Sequence, residues 1–242
     1  MSRFYVDDIL APGTEVELPD AVAHHAVRVL RLRDGATVTL FNGRGGEYDG
    51  RLHIVGARTS AVLGRHIAIE RESPLAITLV QAWVAADKLD WLVEKAVELG
   101  VTGLILVPTT RSVVQLDNAR RERRVRRLRE IAISACCQCG RNIVPQVAAA
   151  NTLRDGLEAA ADSDRLGLLL AFDATESVVT AVGAAASISL VVGPEGGLES
   201  AENSLATHLG YRPVSLGPRI LRTETAGLAA IAALQATLGD MR

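Results

Sequence analysis

Apolar and polar residues alternate along this chain with two different periods, and the change of period divides it. Up to about residue 72 the period is two. "GTEVEL", "ATVTLF", "EYDGRLHIVG" and "SAVLGRHIAI" set apolar against polar positions, which predicts short strands with one buried face. One helix interrupts them. Pro19–Asp20 supplies its start, and "AVAHHAVRVL" carries Val22, Ala26, Val29 and Leu30 at helical spacing. "FNGRGGEY" joins two strands, and Asn42–Gly43 is the dipeptide of a hairpin turn that needs positive φ at both positions. These features predict a small β-barrel-like domain over residues 1–72.

Ser73–Pro74 breaks the pattern, and from Leu75 strands and helices alternate. "LAITLVQAWV" is almost continuously apolar, as a strand buried on both faces must be. "DKLDWLVEKAVELG" turns Leu89, Leu92, Val93, Ala96 and Leu99 to one side, with Gly100 as its stop. "LILVP", "RLGLLLAF", "SISLVV" and "YRPVSL" read as further strands, "AENSLATHL" and "TAGLAAIAALQATL" as further helices. The alternation predicts an α/β domain with a mostly parallel sheet over residues 73–242.

Composition adds limits. With 242 residues, 48% hydrophobic, the chain can bury one large core or two unequal ones. No apolar run reaches the roughly 18 residues of a membrane span. "MSRFYVDDIL" lacks the apolar segment of a secretory signal, so a cytoplasmic location is expected. Cys136, Cys137 and Cys139 form one close, odd-numbered set. Structural zinc wants four ligands, usually two separated pairs, and no second pair exists here. Reduced thiols packed at a helix end are expected, with Gln138 and Arg141 available to a ligand or RNA.

Charge is informative in kind rather than in sum. The net charge is −2, but of 26 basic residues only Lys88 and Lys95 are lysine. Seven arginines crowd "RRERRVRRLRE", Arg120 to Glu130. Arginine matches phosphate bidentately; the same run also reads as the solvated face of a helix.

Two junctions carry candidate chemistry. In "SISLVVGPEGGLES" an apolar strand ends at Val192 and Gly193, Pro194, Glu195, Gly196 and Gly197 follow. Glycines at the C-terminal end of a strand let a ligand approach the backbone, and that edge of an α/β sheet is where ligands usually bind. No lysine follows as in a P-loop, and the dinucleotide fingerprint is absent. "VSLGPRILRTETAGLAAI" repeats the arrangement: strand, Gly217–Pro218, polar cluster, helix. Thr223 or Thr225 can cap that helix, and Glu224 suits its positive end. Arg219 and Arg222 have no such role and need anionic or carbonyl partners if buried.

Taken together, "HHAVRVLRLRDGATVTLFNGRGGEY", "DKLDWLVEKAVELGV", "IAISACCQCGR", "LVVGPEGGLES" and "LGPRILRTETA" resemble, in order and over nearly the whole chain, the signatures of the RsmE family. These are bacterial 16S ribosomal RNA uridine-N3 methyltransferases of the SPOUT superfamily. Ribose 2′-O methyltransferases of that superfamily carry a similar "GPEGG" turn, but typically a Ser-Leu-Asn segment where this chain has "RILRTETA". The resemblance implies an N-terminal PUA-like RNA-binding domain, a C-terminal domain with a deep trefoil knot, and a homodimer. It implies S-adenosylmethionine held by Gly193, Pro194, Glu195, Gly196 and Gly197, and by Leu216, Gly217, Pro218, Ile220, Leu221, Arg222, Thr225 and Ala226. After "GPEGG" this chain reads "LES" where the family often has a serine one position earlier, which leaves the helix cap between Glu199 and Ser200.

For the reaction, Arg222, in preference to an arginine of the partner subunit, is the expected electrostatic group at a uracil oxygen. Glu195 or Glu224 is the expected base, or orients that arginine. Arg28, Arg31, Arg33, Arg111, Gln138, Arg141 and Arg219 are expected RNA contacts, with the 120–129 cluster along the backbone. A non-catalytic RNA-binding dimer and a ribose 2′-O methyltransferase are the competing readings.

Overall fold

The computed structural model of the protein describes residues 2–161 and 164–241. The chain forms two compact units: Met1–Glu72 with Cys136–Val144, and Ser73–Ala135 with Pro145–Arg242.

The first unit is built on five strands: β1 (Ser2–Tyr5), β2 (Glu15–Glu17), β3 (Thr37–Phe41), β4 (Glu47–Val55) and β5 (Arg58–Ile67). Their order is β1-β3-β4-β5-β2, with β1 parallel to β3 and the other pairs antiparallel. Phe4, Val16, Val38, Leu40, Leu52, Ala61 and Leu63 form its core. Helix α1 (Asp20–His24) widens into a π-helical turn at His25–Val29. The extra residue in that turn rotates the succeeding side chains off the apolar stripe. Ala26 is therefore buried as expected, while Val29 and Leu30 are exposed.

The Asn42–Gly43 expectation needs correction. The connection runs over five residues between Phe41 and Glu47, and positive φ falls on Gly43, Gly45 and Gly46, not Asn42. The loop opens because it pairs elsewhere: Val144 N–H donates to Gly43 O and Gly45 N–H to Asn142 O, both at 3.3 Å.

A largely buried charge network, with Arg71 at its exposed edge, binds the same segment. Arg3 donates to Glu47 and, at 2.7 Å, to Asn142 Oδ1; Arg71 donates to Gly140 O at 2.7 Å. Arg141 donates through Nε to Glu72 Oε1 at 3.0 Å and through Nη2 to Glu72 Oε2. Arg141, expected as an RNA contact, is thus 3% exposed and committed inside the first unit. Cys136 is buried, and burial pushes its thiol up to about 12, so it is an inert packing group.

The second unit alternates β6 (Ala76–Ala82), α2 (Ala86–Glu98), β7 (Gly103–Val107), α3 (Asn118–Cys139), β8 (Gln146–Ala149), α4 (Leu153–Ala160), β9 (Leu166–Leu170), β10 (Ser187–Val192), α5 (Ser200–His208), β11 (Arg212–Val214) and α6 (Thr223–Leu238). β1, β8 and α4 lie outside the segments the hydrophobic pattern predicts. The sheet order is β11-β9-β10-β6-β7-β8, and every pairing is parallel. The arginine run lies on α3, with Val125, Leu128 and Ala132 buried at helical spacing and most of the arginines outside.

That order positions the site. The chain leaves β9 for β10, which lies between β9 and β6, and then returns to β11 beside β9. Parallel strands all end at one edge, so the loops after three neighbouring strands meet there.

Candidate functional site

The loops after β9, β10 and β11 enclose a cavity of about 570 Å³. Leu170 to Asp173 line it from the first, Val192 to Leu198 from the second, and Val214, Leu216, Gly217 and Arg219 to Thr223 from the third, with Ala226, Arg111 and Asn203 completing it. Of the residues expected to hold a cofactor, Pro218 and Thr225 are not in the lining, and neither is Glu224. Phe172 and Asp173 are in it, although neither stands out in the sequence; only the sheet order brings their loop to this edge.

The glycines shape the wall. Gly197 adopts φ 68° in a turn closed by its N–H to Pro194 O at 2.9 Å, and Gly217 adopts φ 94°. A Cβ on Gly193 would sit 3.2 Å from Leu198, and one on Gly196 would sit 3.2 Å from Arg111 Cβ. A side chain at either position would crowd these neighbours, so the cavity wall is backbone there. Apolar walls from Leu170, Val192, Leu216, Leu221 and Ala226 beside exposed loop backbone suit a flat ligand with hydrogen-bonding edges.

Thr223 locks two walls together. Its hydroxyl donates to Gly193 O at 2.6 Å and accepts from Gln81 Nε2 at 3.0 Å. Gln81 is fully buried at the end of β6 and also donates to Ala82 O. This corrects the expectation that Thr223 or Thr225 caps α6. Arg222 is the N-cap residue, no side chain caps the helix, and Thr225 is exposed. The cap of α5 falls on Glu199, whose N–H donates to Glu202 Oε2 at 2.8 Å. Thr223→Val keeps the shape and removes both bonds of a buried hydroxyl. It is expected to cost about 1–3 kcal/mol, read from the urea midpoint. The exposed Thr225→Val is expected to change little.

Charge gathers at the same edge. Arg219 and Arg222 line the cavity, are exposed, and their side chains make no hydrogen bond among the described residues. Their exposure removes the need for buried partners. Arg111 donates to Gly196 O at 3.0 Å. Lys88 Nζ lies 2.8 Å from Glu195 Oε1 and 3.8 Å from Glu224 Oε2. The Lys88 hydrogen bond holds the Glu195 carboxyl below its ordinary range, against a smaller opposing effect of burial. Lys88 and Gln81 are not among the expected site residues. Their sequence signals are slight: one of only two lysines, and a polar residue closing an apolar strand.

The other expected RNA contacts are not in the lining of this cavity. Arg28, Arg31, Arg33 and Gln138 are exposed in the first unit; in the second, most of the α3 arginines are exposed, whereas Arg124 is half-buried against Asp90 and Arg121 is half-buried and donates to Asn151. Among the described residues no three His, Cys, Asp or Glu side chains could hold a metal. No helix there is long and apolar enough to cross a membrane.

Comparison with known proteins places these features. Residues 71–235 match the RNA methyltransferase domain family, and residues 18–58 an RNA methyltransferase PUA domain. A ribosomal RNA small subunit methyltransferase E of Bacillus subtilis is 32% identical, covering 87% of this chain and 86% of that protein. One from Mycobacterium tuberculosis is 32% identical over 96% of this chain and 90% of its own. The Neisseria gonorrhoeae enzyme of that name, solved bound to S-adenosyl methionine, superposes with a TM-score of 0.92 at 38% identity over the full length of both chains. A Legionella pneumophila structure with bound SAM superposes at 0.90 with 32% identity over 98% of both.

Proposed function

The chain belongs to the RsmE family of ribosomal RNA small subunit methyltransferases, and we infer that it methylates N3 of a specific uridine near the 3′ end, in the decoding region, of 16S ribosomal RNA. The observation that carries this reading is one cavity where glycine-rich backbone on one wall faces two unpaired, exposed arginines on another. "RILRTETA" stands where ribose methyltransferases of the superfamily carry Ser-Leu-Asn, which supports a base as acceptor.

S-adenosylmethionine fits the cavity. The glycine positions leave the backbone bare, the apolar walls suit a purine, and Asp173 and Glu195 offer negative charge to a cation. When bound, it supplies an activated methyl group on a sulfonium. The protein's residues do the rest. The three loops orient the reactants, and such orientation is worth about 7–11 kcal/mol in favourable cases. Arg222 neutralises the negative charge that develops on a uracil oxygen as N3 loses its proton. Glu195, in the cavity wall, is the carboxylate available to receive that proton. Glu224 lies outside the lining and acts through its neighbours.

The first unit supplies a PUA-like RNA-binding domain, with Arg28, Arg31 and Arg33 on RNA phosphates. Arg111, Arg219 and the α3 arginines serve the same purpose in the second. The knot, the homodimer, a barrel closure of the first unit and a cytoplasmic location belong to this reading through the family.

The test uses small ribosomal subunits lacking the modification, with nucleoside mass spectrometry of the product. 3-Methyluridine is expected; a 2′-O-methyl product, or none, overturns the reading. S-adenosylmethionine at about 100 times its Kd should add ~2.7 kcal/mol to stability. An unmoved melting temperature would favour a non-catalytic RNA-binding dimer.

A further inference from the structure

Lys88 stands in the first turn of α2 and has no place in the mechanism above, yet it joins two segments far apart in the chain. Glu195 belongs to the loop after β10 and Glu224 to the first turn of α6, and one ammonium lies between them at 2.8 and 3.8 Å. The two carboxylates differ. Glu195 is exposed in the cavity wall. Glu224 is 8% exposed, and its Oε2 accepts no hydrogen bond among the described residues. A buried carboxylate is costly unless compensated, and Lys88 is the cation beside it. The buried charge thus fixes the lysine, and the lysine fixes the exposed carboxylate.

We propose that Lys88 is a positioning residue for methyl transfer: it ties Glu195, and with it the Gly193–Gly197 loop, to the buried Glu224 beside Arg222. The activity part of this proposal rests on the methyltransferase reading; the tie itself does not. Thr223 fastens the same loop at Gly193, so Lys88 supplies the second fastening, at the carboxylate. The charged groups facing Lys88 are Glu195, and Glu224 and Arg222 from the start of α6; Lys88 is the cation at Glu195, and Arg111 donates to the carbonyl of the next residue, Gly196. Lys88 holds Glu195 ionised, so without it the carboxylate protonates at higher pH.

Lys88→Met and Lys88→Arg in the full chain test this. Lys88→Met is expected to lower kcat by on the order of 10–100-fold, with KM for S-adenosylmethionine changed less than about threefold. The acid limb of its kcat profile should move to higher pH. Lys88→Arg keeps a cation between the carboxylates and should restore most of the turnover. Amide hydrogen exchange over Gly193–Gly197 should rise in Lys88→Met and stay low in Lys88→Arg. If Lys88→Met folds poorly, the double variant with Glu224→Gln removes the buried charge; stability should return while kcat stays low. Unchanged loop exchange overturns the tie whether or not the enzyme turns over. Wild-type kcat in Lys88→Met, or a loss matched by an equal loss of cofactor affinity, overturns the role in catalysis. A wild-type protein that makes no methyluridine refutes the functional reading instead, and leaves the exchange measurement to decide the tie.

Discussion

Arg222→Ala is expected to lower turnover by about 100- to 1000-fold while changing S-adenosylmethionine affinity less than about threefold. The reasoning starts from exposure. Arg222 lines the cavity, it is exposed, and its guanidinium makes no hydrogen bond among the described residues. It is the N-cap residue of α6 but contributes no side-chain cap, so alanine costs the helix nothing there. A cation in that state is uncommitted in the ground state and can act where charge develops. Losing a group that acts only in the transition state lowers kcat and kcat/KM together. Single-turnover methylation at saturating cofactor, with calorimetry of cofactor binding, separates the outcomes. Equal losses of turnover and affinity would reassign Arg222 to the cofactor. Arg222→Lys should recover only part of the rate, because an ammonium lacks the planar fork. Arg219→Ala should instead weaken RNA binding and flatten its salt dependence by about one ion.

The largest loss of stability is expected from Arg141→Ala, about 3–5 kcal/mol. Arg141 is almost fully buried and forms a two-pronged pair with Glu72. Burial alone would pull its pKa down, but the Glu72 hydrogen bond and charge outweigh that and raise it. Removing the cation strands a largely buried carboxylate, which is why breaking such a pair costs more than the pair is worth. Calorimetry should show the first unit melting early, whereas the exposed Arg28→Ala should leave melting unchanged and weaken RNA binding. Arg141→Met with Glu72→Gln is the control, since it removes both charges and should recover most of the loss. If Arg141→Ala melts like the wild type, the buried pair does not hold the Cys136–Val144 segment.

The two expectations for arginine show where sequence reading stops. Arg141 follows "CCQCG" and Arg222 follows "GPRIL", and neither local context says whether the guanidinium is buried. One is buried against Glu72, 69 residues away; the other is solvated in a cavity. Lys88 makes the same point, since Glu195 lies 107 residues from it. Thr223 reads as a cap because capping is a local habit of threonine. A carbonyl 30 residues back claims its hydroxyl instead.

By itself the sequence determined the change from mainly strands to alternating strands and helices near residue 73, the buried faces of β6 and α2, and the two loops that carry the signature residues. Periodicity records which side of an element avoids water, and glycine records where backbone must turn or be approached; both are properties of a few consecutive residues. The tertiary structure alone decided that β10 lies between β9 and β6, which brings the loops after β9, β10 and β11 to one cavity. It alone decided which charges are buried against a partner and which stay in water. Desolvation and pairing depend on residues a hundred positions away, and no short-range pattern encodes them.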